Sequence, residues 1–142
     1  MTKKVCNTGA AIVVHDLSDA LAALQAAKAC ACAVTLISGP DAAGYAGALW
    51  WQSLIEEALG QVPGLEVTAI LDCGDAPGQV MAALRQGVGP LVFTGDEDSR
   101  ARLSAMAEAR GTKIRAKRPA ALDLLDIVDK EGTCRRWLEG GH

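Results

Sequence analysis

The sequence alternates between short apolar, β-branched runs and longer stretches rich in alanine and leucine, and this alternation constrains the fold more than any other feature. The β-branched runs predict strands, and the alanine–leucine stretches predict helices. The predicted strands are residues 11–14, 34–37, 65–71, 91–93 and 113–116. Because strands that alternate with helices pair in parallel through crossover connections, the pattern predicts an α/β fold.

The predicted helices lie between these strands, at residues 20–31, 42–59, 76–85 and 99–110, and a last helix is predicted at 120–130. The strands are continuously apolar, which indicates a sheet covered on both faces. We therefore predict a three-layer α/β sandwich with a five-stranded, mainly parallel sheet. The flavodoxin-like strand order 2-1-3-4-5 is the first expectation, and a Rossmann-like order is the second.

Length and composition indicate one globular domain. The chain has 142 residues, of which 50% are apolar and 22% are charged, and this suffices for one hydrophobic core. We expect residues 1–142 to form a single α/β domain. Its C-terminal tail, about residues 133–142, is expected to be loosely held unless Trp137 docks.

Charge and hydropathy argue against two classes of partner. The net charge of -3 disfavours nucleic acid, because phosphate binding requires a basic face. No stretch approaches the roughly 20 apolar residues of a membrane helix. The apolar run near the N-terminus is shorter than a signal peptide requires. We therefore expect a cytoplasmic protein without nucleic-acid or membrane partners, and its five cysteines should be reduced thiols.

The polar residues that follow the predicted strands are the candidate ligand-binding residues. In open α/β sheets, ligands bind outside the carboxyl ends of the strands. A small anionic metabolite bound there would contact Asp16, Ser38, Gly39, Asp72, Gly74, Asp75, Thr94, Gly95 and Lys117. The structural alternative is helix capping, because Asp16, Asp75 and Asp96 stand where an N-cap is expected.

Cys73 and His15 are the candidates for catalysis, with Asp72 beside the thiol. A thiol between a strand end and a helix N-terminus can be stabilised as a thiolate, and a histidine across the cleft can act as its base. The neighbouring carboxylates Asp72 and Asp75 act in the opposite direction, because negative charge raises a thiol pKa. A small core thiol is the favoured interpretation, and a Cys73–His15 thiol enzyme is an alternative.

Asp16, Asp72, Thr94 and Lys117 follow four different predicted strands. This layout resembles the response-regulator receiver family. The resemblance implies Mg²⁺ bound by the acids, phosphoryl transfer to Asp72, and assistance from Thr94 and Lys117. The sequence departs from the family pattern because His15 replaces a second acid and an arginine separates the lysine from the following proline. A receiver-like signalling module is therefore a second alternative.

The stretch SGPDAAGYAGALWW bears on cofactors and partners. Its glycines lie in and just after a predicted strand-to-helix turn, which could hold a phosphate. Their spacing matches neither the glycine motif of dinucleotide-binding proteins nor a P-loop. The cofactor therefore stays unknown, and no metal site is predicted, because the two histidines lack ligand spacing.

Trp50 and Trp51 point about 100° apart on a helix, so one of them must lie at or outside the edge of the buried face.

The favoured function is the binding of a small anionic metabolite at the carboxyl ends of the strands. We expect the protein to be a homo-oligomer that associates through the Trp50/Trp51 helix. The sequence leaves open whether the protein is an enzyme.

Overall fold

In a computed structural model, which describes Cys6 and residues 11–140, the chain has an α/β fold with a parallel sheet flanked by helices. The strands are β1 (Ala11–Val13), β2 (Val34–Ile37), β3 (Val67–Asp72), β4 (Leu91–Val92), β5 (Ile114–Arg115) and β6 (Ala121–Asp123). The helices are α1 (Leu17–Cys30), α2 (Ala42–Tyr45), α3 (Ala48–Gln61), α4 (Pro77–Arg85), α5 (Glu97–Ala109) and α6 (Lys130–Leu138). Within residues 11–140, no helix combines the length and apolar character needed to cross a bilayer.

The sheet has six strands rather than the predicted five, in the order β5-β4-β3-β2-β1-β6. β1 pairs in parallel with both β2 and β6, and β4 pairs in parallel with both β3 and β5. The flavodoxin-like and Rossmann-like orders are therefore wrong, because β1 lies between β2 and β6. β5 is an edge strand, and the exposure of Lys113, Arg115 and Lys117 fits the role of charge in preventing edge-to-edge pairing.

β6 occupies part of the stretch for which a last helix was predicted. The backbone N–H of Ala11 donates to the carbonyl of Ala120 at 2.8 Å, next to the paired residues of β1 and β6. Pairing with β6 satisfies the backbone groups on one side of β1, and this tertiary gain outweighs the helical spacing of the leucines. Helix α6 begins instead at Lys130, after the N-cap Asp129, whose side chain accepts from the N–H of Gly132 at 3.1 Å.

The long helix predicted at residues 42–59 is interrupted between α2 and α3. Gly47 has a φ of 94°, a conformation that favours glycine and does not continue a right-handed helix. Helix α3 continues to Gln61, two residues beyond the predicted end at residue 59.

Residue contacts divide the chain into two compact units. The first unit comprises the described residues up to Ile37, Leu54–Thr68, and the described residues from Pro119 onwards. The second unit comprises Ser38–Ser53 and Ala69–Arg118. The expectation of a single domain stays a prediction.

In the first unit, α6 packs against α1. The buried Asp19 of α1 forms an ion pair with Lys130 of α6, with 2.7 Å between Oδ1 and Nζ. Trp137 donates from Nε1 to the carbonyl of Ala11 at 3.0 Å. Cys134 and Leu138 are buried. Trp137 therefore docks, which is the condition under which the tail was not expected to be loosely held, and residues 141 and 142 lie outside the described residues.

The cysteines differ from the expectation of five reduced thiols. Cys6 and Cys32 form a disulfide, whereas Cys30, Cys73 and Cys134 are buried and not disulfide-bonded. The disulfide connects the chain ahead of β1 to a residue just beyond the end of α1, across a sequence separation of 26.

The docking of α6 can be tested with Leu138→Ala. Because Leu138 is 2% exposed, we expect this truncation to lower the free energy of unfolding by about 2–5 kcal/mol in urea denaturation. Leu125→Ala is the matched control, because Leu125 is 62% exposed, and it should change the free energy by less than about 0.5 kcal/mol. Equal effects of the two substitutions would contradict the docking of α6.

Candidate functional site

Asp72 is the last residue of β3, and its carboxylate is buried within the second unit. Its Oδ1 accepts hydrogen bonds from the backbone N–H groups of Gly74 at 2.7 Å and Asp41 at 3.0 Å. Its Oδ2 accepts from Nη1 of Arg118 at 2.8 Å. A buried carboxylate is tolerated when it is paired and hydrogen-bonded, and both oxygens of Asp72 meet this condition.

Ser38 and Gly39 follow β2, and both are buried. The Ser38 hydroxyl accepts from the backbone N–H of Asp72 at 2.9 Å and donates to the carbonyl of Gly39 at 3.1 Å. The hydroxyl therefore forms hydrogen bonds with backbone groups at the carboxyl ends of β2 and β3. These contacts give both residues a structural role, and their predicted contact with a ligand stays a prediction.

The turn after β2 brings a second carboxylate to this region. Asp41 has a φ of 56°, a backbone conformation that few residues other than glycine adopt. Its side chain lies against Gly74, where an added Cβ would be 2.9 Å from Oδ1 of Asp41. Gly74 also has a positive φ of 59°, so this position requires glycine for both its conformation and its lack of a side chain.

Thr94 and Gly95 follow β4. The N–H of Thr94 donates to the carbonyl of Gly74 at 2.8 Å, which joins the turn after β4 to the turn after β3. The Thr94 side chain is exposed, whereas Gly95 lies against the ring of Phe93, where a Cβ would collide with the aromatic atoms. The structure thus brings Ser38, Asp72, Gly74 and Thr94 together in one hydrogen-bonded network.

Two of the predicted helix caps are present. Asp16 caps α1 in the first unit by accepting from the N–H of Asp19 at 2.8 Å. Asp96 caps α5 by accepting from the N–H of Ser99 at 3.0 Å, and this hydrogen bond lowers the pKa of Asp96. The capping interpretation is therefore confirmed for these two residues.

The predicted cap of α4 is absent. Asp75 is exposed, and the N-cap position is Ala76, whose side chain makes no capping hydrogen bond. Pro77 is the first helical residue, as expected for a position that needs no N–H donor. The N-terminus of α4 therefore has no side-chain cap from its N-cap residue.

Cys73 has the properties of a core thiol. It is completely buried, and burial raises the pKa of its thiol to about 12, with further contributions from the carboxylates of Asp72 and Asp41. A thiol with this pKa is protonated at neutral pH and is therefore a poor nucleophile. These features support the structural interpretation of Cys73 and argue against the thiol-enzyme alternative.

His15 is placed in the first unit, directly beyond β1. Its Nε2 lies 2.7 Å from Oδ1 of Asp123, the last residue of β6, and its backbone N–H donates to Asp19 at 2.9 Å. β1 and β3 are not neighbours in the sheet, and a catalytic pairing of His15 with Cys73 stays a prediction. The sequence did not indicate Asp123, because this residue fell within the predicted last helix.

Arg118 is not among the residues that the sequence predicts to contact a ligand. The predicted contact is Lys117, which is exposed, whereas the neighbouring Arg118 forms the ion pair with Asp72 and its side chain is 25% exposed. The available signal was the pair Lys117-Arg118 before Pro119. A residue that precedes proline favours an extended backbone, which can point its side chain away from that of its neighbour.

The arrangement does not match the receiver-like alternative. Within Cys6 and residues 11–140, no group of three or more His, Cys, Asp or Glu side chains is placed to hold a metal ion. Both oxygens of Asp72 are occupied by protein donors. Phosphoryl transfer to Asp72 would therefore first require these hydrogen bonds to break.

Comparison with known proteins supports the fold class. No protein-family model matches the sequence, and no curated protein matches it significantly. A solved structure of a candidate fructose-1,6-biphosphate aldolase from Coccidioides immitis is similar, with a TM-score of 0.58 and 23% sequence identity. The alignment covers 74% of this chain and 39% of the aldolase chain, so this chain spans well under half of that protein's length. At this identity the similarity shows the α/β fold alone.

The ion pair between Asp72 and Arg118 can be tested with Arg118→Met. This change leaves a buried carboxylate without its charged partner, so we expect the free energy of unfolding to fall by about 2–4 kcal/mol. Lys117→Met is the matched control, because Lys117 is the exposed neighbour, and it should change the free energy by less than about 0.5 kcal/mol. A larger loss from Lys117→Met than from Arg118→Met in urea denaturation would contradict the assignment.

Proposed function

We propose that the protein binds a small anionic metabolite at the carboxyl ends of the strands in the second unit, with Arg118 as the main contact. The observation that carries this proposal is the anchoring of the Arg118 guanidinium by the buried carboxylate of Asp72.

The anchored guanidinium is suited to anion recognition. Arginine carries five N–H donors in a planar fork that matches carboxylate and phosphate oxygens. The hydrogen bond to Asp72 uses Nη1, and the side chain keeps a quarter of its surface in contact with solvent. Because Asp72 orients the group before a ligand arrives, binding costs less side-chain entropy than it would for a mobile arginine.

The groups around Arg118 favour a ligand that carries hydroxyls as well as an anionic group. Lys117 adds an exposed positive charge, and the N-terminus of α4 lacks a side-chain cap. Thr94 offers a hydroxyl, while the exposed acids Asp41 and Asp75 offer acceptors for ligand hydroxyls. These acids would have no partner in an anion that lacks hydroxyls, so a sugar phosphate fits this mixture better.

The similar solved structure suggests which ligand to test first. Its description names fructose 1,6-bisphosphate chemistry, and that compound combines phosphate groups with hydroxyls. For this chain we propose binding, in which the predicted nucleophile Cys73, buried with a raised pKa, takes no part.

Thermal denaturation with fructose 1,6-bisphosphate, a sugar monophosphate and inorganic phosphate tests the proposal. At 100-fold over its Kd, a ligand that binds the folded state adds about 2.7 kcal/mol, which raises the Tm by several degrees. Arg118→Lys keeps the charge but loses the planar fork, so we expect weaker binding by this variant. Lys113→Gln, a change at an exposed cation ahead of β5, should leave the shift unchanged. The absence of any shift, or an equal shift in Arg118→Lys, would refute the proposal.

We also propose that α2 and the start of α3 form a contact between copies of the chain. Trp51 is 1% exposed and Trp50 is partly exposed. This difference is expected, because adjacent residues on a helix point about 100° apart and cannot both face the core. Tyr45 and Leu49 are 68% and 61% exposed, so large apolar side chains lie on the surface of these helices. Exposed apolar side chains that lie close together are typical of interaction surfaces.

Analytical ultracentrifugation of Leu49→Glu tests this contact. A buried charge disfavours association, so we expect Leu49→Glu to shift the protein toward the monomer by at least tenfold in dissociation constant. Leu125→Glu is the matched control, because Leu125 is equally exposed in the first unit. A wild-type protein that stays monomeric at all concentrations would rule out the contact.

A further inference from the structure

Three of the five cysteines lie together at the C-terminal end of α1, in the first unit. Cys6 and Cys32 form a disulfide, and Cys30 is the last residue of the helix, with its carbonyl oxygen 3.5 Å from Sγ of Cys32. We propose that this disulfide is a redox switch. While it is closed, it keeps the Cys30 thiol inaccessible, and its reduction by a dithiol opens the helix end and makes Cys30 a reactive thiol.

The turn that ends α1 is poorly suited to its sequence. Ala31, the C-cap residue, has a φ of 54°, in the left-handed region that is unfavourable for a residue with a Cβ. Two backbone hydrogen bonds close the turn, from Ala31 to the carbonyl of Lys28 at 3.3 Å and from Cys32 to that of Ala27 at 3.0 Å. Glycine is the usual residue at the left-handed position of such a turn. With alanine there, the turn depends on a further constraint.

The disulfide supplies that constraint, because Cys32 directly follows Ala31. It ties Cys32 to the chain ahead of β1, so the turn cannot unwind while both segments stay in place. The cross-link also lowers the entropy of the unfolded chain, and for a sequence separation of 26 it favours the folded state on the order of a hundredfold. Reduction removes both effects, and the conformational cost at Ala31 then favours opening of the last turn.

Exposure decides which sulfur an external thiol reaches and which thiol is protected. Cys6 is partly exposed, whereas Cys32 and Cys30 are 4% and 2% exposed. An incoming thiolate therefore attacks Sγ of Cys6, and Cys32 leaves as a thiolate that takes up a proton. The second thiolate of the dithiol then attacks the mixed disulfide and releases Cys6. The dithiol gives up two electrons and becomes a disulfide, and two thiols are left on the protein.

The effect of reduction is expected to stay at this end of α1. The other end of the helix is held by the Asp16 cap and by the ion pair between Asp19 and Lys130. Cys73 lies in the second unit and Cys134 lies on α6, and both are completely buried. These two thiols should therefore stay protected after reduction, and they serve as internal controls.

Alkylation with iodoacetamide without denaturant, followed by peptide mass spectrometry, tests the proposal. We expect Cys30 to react at least tenfold faster in protein reduced with dithiothreitol, and then freed of it, than in air-oxidised protein. Cys73 and Cys134 should react slowly in both forms. Cys32→Ser removes the disulfide by substitution, so Cys30 should react rapidly in this variant without any reductant. Protection of Cys30 after reduction, equal reactivity of all three buried thiols, or failure of Cys6 and Cys32 to pair in air would overturn the proposal.

Glycine substitutions at two exposed alanines separate the switch from a general loosening of the helix. Ala31→Gly removes the cost of the left-handed conformation, so we expect Cys30 to react roughly fivefold more slowly than in the reduced wild type. Ala29→Gly is the matched control within the right-handed helix, where glycine is unfavourable, and it should make Cys30 react faster. The same direction of change in both variants would contradict the role of Ala31.

Discussion

The turns at the strand ends of the second unit depend on the burial of one carboxylate, that of Asp72. Taking a charge out of water costs several kcal/mol unless other groups compensate for it. The compensation comes from two backbone N–H groups and one guanidinium. Asp41 lies in the turn after β2, Gly74 in the turn after β3, and Arg118 in the segment after β5. These segments are therefore held in one arrangement, and the same hydrogen bonds that stabilise it orient the guanidinium of Arg118.

The second unit orients an arginine at each end of its strands, by two different means. Arg118 is held by a buried carboxylate at the carboxyl ends, and Arg110 is held by a backbone carbonyl at the amino ends. The helices begin at the first end and finish at the second, so their dipoles present opposite charges to the two arginines.

The elements that the sequence predicted well are those with a strong local pattern. The run Val34–Ile37 is a strand with the predicted bounds, and α4 begins at Pro77, one residue from the prediction. The stretch at residues 120–130 was misassigned, because its leucines are spaced as in a helix and the competing partner, β1, is about 110 residues away. Local spacing carries no information about that partner.

By itself, the sequence determined the α/β class, the positions of five strands, the polar residues at the strand ends and the core-like surroundings of Cys73. All of these follow from patterns within about ten residues, which short-range propensity and burial control. Only the tertiary structure decided the strand order, the pairing of His15 with Asp123, and the choice of Arg118 as the partner of Asp72. The two members of these last pairs are 108 and 46 residues apart, so their contact depends on tertiary packing within each unit and not on local pattern.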